Sequence, residues 1–425
     1  MVHSWRRSFR LGFLALSPIV SQAQSTFPET ALRADLHHLR AAIIAKHPAP
    51  FRYCSSLQFD SAFDSLDRTL VSSMTELQFL SHVASLYPLL GDGHTLFLPP
   101  ASDRDRRKLF LPVVPWWDGE RLWVKANGSA VDHIRPGEEI IAINGVAAVD
   151  LIDTLLRRQV RDGHDLNYPT WILNTFFKEY YRFSFDGPER FVLRLRNPEG
   201  VHEELLDALP ADSIAVRLAR RTPRVEPIRF DVRLAHPGLA VITIPSFARG
   251  DLSRSRLKRA FDEIRSLNVK RLIIDVRGNQ GGEPRLAKAL LAQVLDTPFV
   301  LVSKGPAQGR RRPVRRPFTG DLAVLMDGGS FSATGMVLSC LERNRRATFV
   351  GTRAGGDRIR LAGSPERVRL PNTRIECFIS TRLWHLSDQP DEGYGVEPTL
   401  AVTPGIADIL AGRDPVLEAA IRALE

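Results

Sequence analysis

The chain has 425 residues, of which 44% are hydrophobic, and a formal net charge of +10. This length can bury a large core and favours two or three domains. The cysteines Cys54, Cys340 and Cys377 are too few for a disulfide framework and lack a metal-site spacing, which leaves one pair or no pair open. The basic surplus includes no basic helix or aromatic stripe, which argues against a nucleic-acid partner.

The first 23 residues have the pattern of a removable export signal. A basic segment with Arg6, Arg7 and Arg10 precedes the short apolar run LGFLALSPIV and a small-x-small cleavage site at 21–23. The run is too short to span a bilayer, and no later segment predicts a membrane span. We therefore expect a periplasmic or secreted protein, exported by ordinary secretion rather than by the twin-arginine route that RRSFRL loosely resembles.

Residues 24–105 predict a helical N-terminal domain. Apolar residues recur at helical spacing, and a helix over Met74–Leu90 ends in the turn GDGHT at 91–95. Small neighbours leave His94 accessible. Its position is compatible either with a hydrogen-bonded turn residue or with a catalytic base.

Residues 106–160 change to short strands and turns and predict a small β module. A strand at 140–143 is followed by an Asn-Gly turn and an amphipathic helix from Asp150. Residues 161–226 read as a connecting segment with an aromatic-rich helix and a strand.

Strands and helices alternate through residues 227–425, which predicts an α/β core. The strand at 272–276 ends in the turn RGNQGG, and the strand at 322–326 ends in the turn DGGSFSA; each turn opens a helix. If the two strands are parallel neighbours, both turns lie at one edge of the sheet, where ligands of such sheets bind.

Ser332 stands at the start of the second helix, where free amides and the helix dipole favour negative charge. A nucleophile there would find oxyanion donors in the amides of Gly281 or Gly282 and of Ala333. The alternative is that Ser330 or Ser332 caps the helix. The glycine spacings match neither a phosphate loop nor the G-x-S-x-G elbow, and we predict no cofactor or metal.

Taken together, six motifs resemble the S41 family of serine peptidases, which includes the C-terminal processing (tail-specific) and tricorn-like proteases. They are GDGHT at 91–95, RPGEEIIAINGV at 135–146, LIIDVRGNQGG at 272–282, VLMDGGSFSATG at 324–335, FVGTRAGG at 349–356 and GYGVEPTLAVTP at 393–404. The resemblance implies an α/β (α+β multidomain) protein: a ClpP/crotonase-like core preceded by a helical domain and a PDZ-like module.

The resemblance also implies site residues. Ser332 matches the family's nucleophile, and Ala333 with the glycines of RGNQGG would form the oxyanion hole. The position of the general-base lysine in tail-specific members holds Asp357, followed by Arg358, and neither can replace a lysine. The tricorn-like branch uses a histidine that falls on His94.

In that branch a serine and a glutamate orient the histidine. The glutamate matches Glu392, with Glu397 as the second choice. The serine position holds Gly93, and Thr95 is a conceivable substitute. The implied protein is an exported serine-type endopeptidase in which His94 takes the proton of the nucleophile.

The implied partner is a peptide or protein substrate, whose C-terminus the PDZ-like module would bring to the site. Two alternatives stay open: an inactive binding protein on the same fold, and a hydrolase of small esters. The arginine-rich segment at 310–316 is either a solvated loop or a dock for anionic lipid or acidic peptide ends. The oligomeric state is left open.

Overall fold

The described chain begins with a layer of helices. The computed structural model describes residues 26–71, 73–98, 108–221, 229–304 and 308–425, so the predicted export signal lies outside it. The N-terminal elements are β1 (Thr26–Pro28), α1 (Glu29–Lys46), α2 (Ser56–Arg68), β2 (Ser73–Thr75), α3 (Glu76–Val83), a 3-10 helix (Ala84–Leu86), α4 (Tyr87–Leu90) and β3 (Leu96–Leu98).

The helix predicted over Met74–Leu90 is divided in the structure. Thr75 forms a capping box with Gln78, so α3 begins at Glu76. The chain then tightens into the 3-10 helix, and Pro88 lies in the first turn of α4. Since proline has no amide hydrogen, a continuous α-helix would lose a hydrogen bond at this point.

A second unit is built on a six-stranded sheet with the order β10-β9-β7-β6-β5, in which β8 pairs with β7. Its elements are β4 (Leu109–Phe110), β5 (Val113–Trp117), β6 (Leu122–Asn127), β7 (Glu139–Ile143), β8 (Val146–Ala147), α5 (Ala148–Arg157), α6 (Asn167–Phe185), β9 (Arg190–Asn197), β10 (Gly200–Asp207), β11 (Leu209–Pro210) and α7 (Ala211–Arg221). The boundary drawn at residue 160 therefore divides one sheet, because β9 pairs with β7. We call this unit the β module.

The third unit contains a six-stranded sheet with the order β12-β13-β14-β17-β18-β23. Only its edge strand β12 is antiparallel to its neighbour. Its elements are β12 (Asp231–His236), β13 (Leu239–Thr243), α8 (Arg254–Ser266), β14 (Arg271–Asp275), α9 (Pro284–Val294), β15 (Phe299–Val300), β16 (Arg310–Arg311), β17 (Asp321–Met326), α10 (Ala333–Arg343), β18 (Thr348–Gly351), β19 (Arg360–Gly363), β20 (Glu366–Arg369), β21 (Glu376–Ile379), β22 (Arg382–His385), β23 (Leu400–Ala401), α11 (Ile406–Ala411) and α12 (Pro415–Ala423). The α/β prediction is confirmed.

Both faces of this sheet are covered. Alternate strand residues such as Ile274 and Val324 share one large core with α8, α9, α10 and the N-terminal helices. The opposite residues, such as Ile273 and Leu325, pack against α12. Helix α12 begins after Asp414, whose side chain accepts a hydrogen bond from the Leu417 amide.

A small antiparallel sheet joins the N-terminal helices to the third unit. Its order is β20-β21-β3, and Leu96 pairs with Phe378. Because Leu96 follows the GDGHT turn directly, this pairing places that turn against the α/β core. Cys54, Cys340 and Cys377 are buried and free, and in the described ranges no helix has both the length and the apolar character needed to cross a bilayer.

Candidate active site

The two glycine-rich turns lie side by side. Strands β14 and β17 are parallel neighbours, and Asp275 is in register with Leu325. One oxygen of Asp327, Oδ1, accepts hydrogen bonds from the amides of Gly278 (2.8 Å) and Gly329 (2.9 Å), one from each turn. This carboxylate therefore fixes the distance between the two turns. Burial raises the pKa of Asp327 to about 6.

The Ser330 side chain holds the two turns together. Its hydroxyl donates to the Val276 carbonyl (2.9 Å) and accepts from the Asp327 amide (3.1 Å). The Phe331 amide donates to the Asn279 carbonyl (3.1 Å), which adds a further bond between the turns. Since both functions of the Ser330 hydroxyl are used internally, this residue is a structural one.

Ser332 is half-buried and has an unusual backbone conformation. Its backbone has φ 56° and ψ −120°, a region that non-glycine residues rarely adopt, and its side chain makes no capping hydrogen bond. The hydroxyl instead lies 2.9 Å from Nε2 of His94, which is 238 residues earlier in the chain. The alternative that Ser332 caps α10 is therefore wrong.

His94 is held by its backbone and by an aromatic neighbour. Its amide donates to Asp92 Oδ1 (2.9 Å). Its ring stacks on Phe331 with a centroid distance of 4.7 Å, and Phe331 stacks on Tyr168 at 4.1 Å. Burial lowers the pKa of His94, and the negative charge of Asp92 acts in the opposite direction. Sequence reasoning missed Phe331 and Tyr168, although Phe331 lies inside a motif that it quoted.

Not all of the predicted oxyanion donors are free to bind a substrate oxygen. The Gly281 amide already donates to Asn279 Oδ1 (2.9 Å), so it is not available for a substrate oxygen. The Ala333 amide is the first of α10 and therefore has no acceptor within the helix. The Gly282 amide makes no hydrogen bond to any part of the chain that the structure describes. The available pair is thus Gly282 and Ala333.

Neither predicted glutamate lies against the histidine. Glu392 accepts a hydrogen bond from Arg358 (2.7 Å), and its side chain is 58% exposed. Glu397 accepts one from Arg353 (2.6 Å) and is 57% exposed. The structure thus corrects the assignment of Glu392 as the orienting residue. The physical reason is that arginines close to the Gly-Gly turn bind both carboxylates.

Asp357 has a structural role. It is buried, forms an ion pair with Arg52 (3.1 Å) and accepts a hydrogen bond from the Tyr53 hydroxyl (3.1 Å). Its Oδ1 also accepts the amides of Ile359 and Arg360, which shapes the turn that leads into β19. Burial raises its pKa to about 6.

Two buried carboxylates lie close to the histidine. Asp92, His94 and Asp162 each offer one potential ligand atom, and these atoms lie within 4.8 Å of one another. The carboxylate oxygens already accept hydrogen bonds from protein donors, including the amide of Gly93 to Asp162 (2.8 Å). That is the pattern of an internal network rather than of a metal centre.

Both glycine-rich turns and Ser332 lie in a segment that matches a known protein family. Residues 238–402 match the family model described as Peptidase family S41. The chain therefore carries a peptidase family S41 domain, as the six motifs predicted.

The chain is 25% identical over 295 residues to "Carboxyl-terminal-processing peptidase 3, chloroplastic" of Arabidopsis thaliana, covering 67% of this chain and 50% of that protein. It is 25% identical over 215 residues to "Carboxy-terminal-processing protease" of Bartonella bacilliformis, covering 48% and 46%. The chain thus spans about half the length of these curated relatives.

Among solved structures, the chain is similar to mature CPAF complexed with lactacystin. The TM-score is 0.69 and the identity 16%, over 93% of this chain and 98% of that one. A second structure, the CPAF serine-to-alanine mutant, gives a TM-score of 0.70 at 16% identity, over 93% of this chain and 96% of that one. These similarities establish a shared fold.

Proposed function

We propose that this protein is an exported serine-type endopeptidase in which Ser332 is the nucleophile and His94 the general base. The observation that carries the proposal is the 2.9 Å distance between Ser332 Oγ and His94 Nε2. A hydrogen bond of this length allows direct proton transfer as the hydroxyl attacks. The match to Peptidase family S41 supports peptide bonds as the substrate class.

In the first half of the reaction, Ser332 Oγ bonds to the carbonyl carbon of the peptide while its proton moves to His94 Nε2. The amides of Gly282 and Ala333 stabilise the resulting oxyanion, and the start of α10 adds a favourable dipole. His94 then gives its proton to the leaving amine as the C–N bond breaks. Water, deprotonated by His94, releases the acyl group from Ser332.

A cavity of about 670 Å³ between the β module and the core supports a place for the peptide chain. It is lined by Trp116, Trp117 and Trp171 on its apolar side, and Gly328, four residues before the nucleophile, borders it. The edge strand β5 borders the same cavity. The Asn174 side chain hydrogen-bonds both backbone groups of Trp117, at 2.7 and 2.9 Å, and so occupies the strand edge at that residue.

Export is part of this proposal. It is supported by the basic segment, apolar run and small-residue site within residues 1–23. N-terminal sequencing of protein recovered from the periplasm or the medium should find a new N-terminus shortly after Ala23.

The direct test compares hydrolysis of casein and of a C-terminal tail peptide with hydrolysis of short nitrophenyl esters. Wild-type protein should cleave the peptides, and Ser332→Ala should lose at least about 10³-fold in kcat/KM. Ser213→Ala, at an exposed position of α7, is the matched control and should keep wild-type rates. Hydrolysis of esters alone would make the protein an esterase, and no turnover by folded protein would make it a binding protein.

A further inference from the structure

We infer that Asp92, held in place by His47, is the carboxylate that stabilises the charged form of His94, the role that the sequence assigned to Glu392. The inference rests on the proposed function. It starts from the hydrogen bonds of the GDGHT turn and the end of α1, two segments that no motif connects. Hydrogen bonds join Ser332 to the His94 ring, the His94 backbone amide to Asp92, and Asp92 to His47.

The contacts of this chain are specific. His47 Nε2 lies 2.9 Å from Asp92 Oδ2, and both side chains are almost fully buried, with 2% and 3% exposed. The Thr95 hydroxyl donates to the same oxygen (2.5 Å). The other oxygen, Oδ1, accepts the amide of His94 (2.9 Å). Asp92 is thus fixed by donors on both oxygens, directly beside the base.

The hydrogen bond at Nδ1 identifies the tautomer of His47. The Ala49 amide donates to His47 Nδ1 (3.2 Å), so Nδ1 is an acceptor and Nε2 carries the proton. His47 is therefore a neutral donor to Asp92. Because a neutral donor does not cancel the carboxylate charge, Asp92 keeps a full negative charge that acts on His94.

The second acid, Asp162, does not compete for this role. Its two oxygens accept the amides of Gly93 (2.8 Å) and Asp357 (3.3 Å). Burial, and then the charge of Asp92, raise the pKa of Asp162 well above its usual range, which favours the neutral acid. Burial also opposes ionisation of Asp92, but the hydrogen bond from His47 and the other interactions of Asp92 with the two histidines and Ser380 together outweigh it and bring the Asp92 pKa below its usual range.

Among the described residues, the other groups around His94 are an aromatic ring and an ion pair. Phe331 covers one face of the ring, and behind Asp162 the charges of Arg52 and Asp357 form an ion pair. His94 Nδ1 is buried and has no hydrogen-bond partner within the described residues. The positive charge that develops on the ring is therefore stabilised chiefly by Asp92.

The consequence for the reaction is that Asp92 stays ionised throughout. The Ser332 proton moves to His94 Nε2 as the Oγ–C bond forms, and it leaves on the amine. Asp92 neither gives nor takes a proton. It is a positioning residue that acts through His94, and His47 acts one step further away.

The test is the rate of fluorophosphonate labelling of Ser332 from about pH 5 to about pH 9, the range in which a histidine base titrates. The variants are Asp92→Asn, His47→Leu and His47→Gln, each with thermal unfolding measured in parallel. Asp35→Asn is the matched control, since Asp35 is a fully buried carboxylate whose partners, Asn372 and Thr373, lie in another region.

Asp92→Asn should lower the plateau rate by about 10²- to 10⁴-fold and move the acid limb to lower pH, because the imidazolium loses its anion. His47→Leu should lower the rate by about 10-fold, and His47→Gln should stay within about threefold of wild type, because its amide still donates to Asp92. Asp35→Asn should lower stability and leave the pH profile unchanged.

An Asp92→Asn protein that labels at the wild-type rate with the wild-type pH profile would overturn the inference. If that variant does not fold, equal rates for His47→Leu and His47→Gln would overturn it instead. Failure of the proposed function looks different: labelling that persists in Ser332→Ala contradicts the nucleophile, whatever the Asp92 variants do.

Discussion

The packing around Gly93, the residue before the proposed base His94, can be tested with Gly93→Ala, which adds a single carbon. The backbone of Gly93 is outside the left-handed region, so alanine can adopt its conformation. A Cβ at this position would lie 2.5 Å from Phe331 Cζ and 3.2 Å from Asp162 Oδ1. The substitution therefore tests packing alone.

The expected magnitude follows from these distances. Ordinary contact begins near 3.4 Å, so the Phe331 ring or the turn must shift by about 1 Å. The ring cannot yield freely, because it is stacked between His94 and Tyr168. Overpacking of this kind costs about 1–3 kcal/mol of stability, and a 1 Å misplacement of a catalytic group costs about 100-fold in rate.

The assay is kcat/KM on a peptide substrate, with the unfolding free energy measured on the same samples. Gly93→Ala should lose about 100-fold in kcat/KM. In a Phe331→Leu background, Gly93→Ala should cost less kcat/KM than it does in the wild-type background, because leucine leaves room for the methyl group. Gly250→Ala is the control, since nothing lies within 4 Å of its added Cβ.

Full activity in Gly93→Ala would refute the reasoning that packing sets the position of His94. Additive losses in the double variant would refute the specific contact with Phe331. The same contact explains why the serine implied by the resemblance has no place at Gly93.

Three further predictions concern the turns and the acids. Burial raises the pKa of Asp327 from 3.8 to about 6, so its stabilising contribution is fully present below about pH 4 and falls by up to about 3 kcal/mol as the pH rises through 6. Asp327→Asn should remove this fall when the free energy of unfolding in urea is compared between about pH 4 and a pH above about 6. An unchanged pH dependence would contradict the assignment. Glu392→Gln should keep kcat/KM within about threefold, because the carboxylate is exposed and paired with Arg358; a loss above about 100-fold would restore it as the orienting acid. Gly281→Ala should abolish serine labelling, since its φ is +94° and its Cβ would lie 2.7 Å from Ser332 Cβ; labelling at the wild-type rate would show that the turns are less tightly packed.

Much of the site could be predicted because its parts are local. An apolar strand followed by a glycine turn and a helix is encoded within about a dozen residues, and Ser332 and Ala333 belong to such a unit. The GDGHT turn is equally local. The family motifs implied that His94 meets Ser332. The structure brings them together through the pairing of β3 with β21, which periodicity alone could not supply.

The partners of charged groups were harder to predict, because packing decides them. Arg358 lies two residues after the Gly-Gly turn and binds Glu392, a contact that sequence order does not indicate. His47 and Asp92 are 45 residues apart and meet only because the end of α1 packs on the GDGHT turn. Sequence reasoning passed over both residues, although Asp92 stands within a quoted motif.

The predicted boundary at residue 160 divided the β module for a similar reason. Its first strands are joined by short turns, which sequence patterns reveal, whereas β9 reaches β7 after two intervening helices. A pairing over some fifty residues has no local signal.

The contact between Ser332 and His94 is tested most directly by mass spectrometry of the purified protein after reaction with a fluorophosphonate. We expect a single adduct on the peptide that contains Ser332, no adduct there in Ser332→Ala, and labelling at least about 10³-fold slower in folded His94→Ala. An adduct at another residue, or equal labelling rates with and without His94, would contradict it.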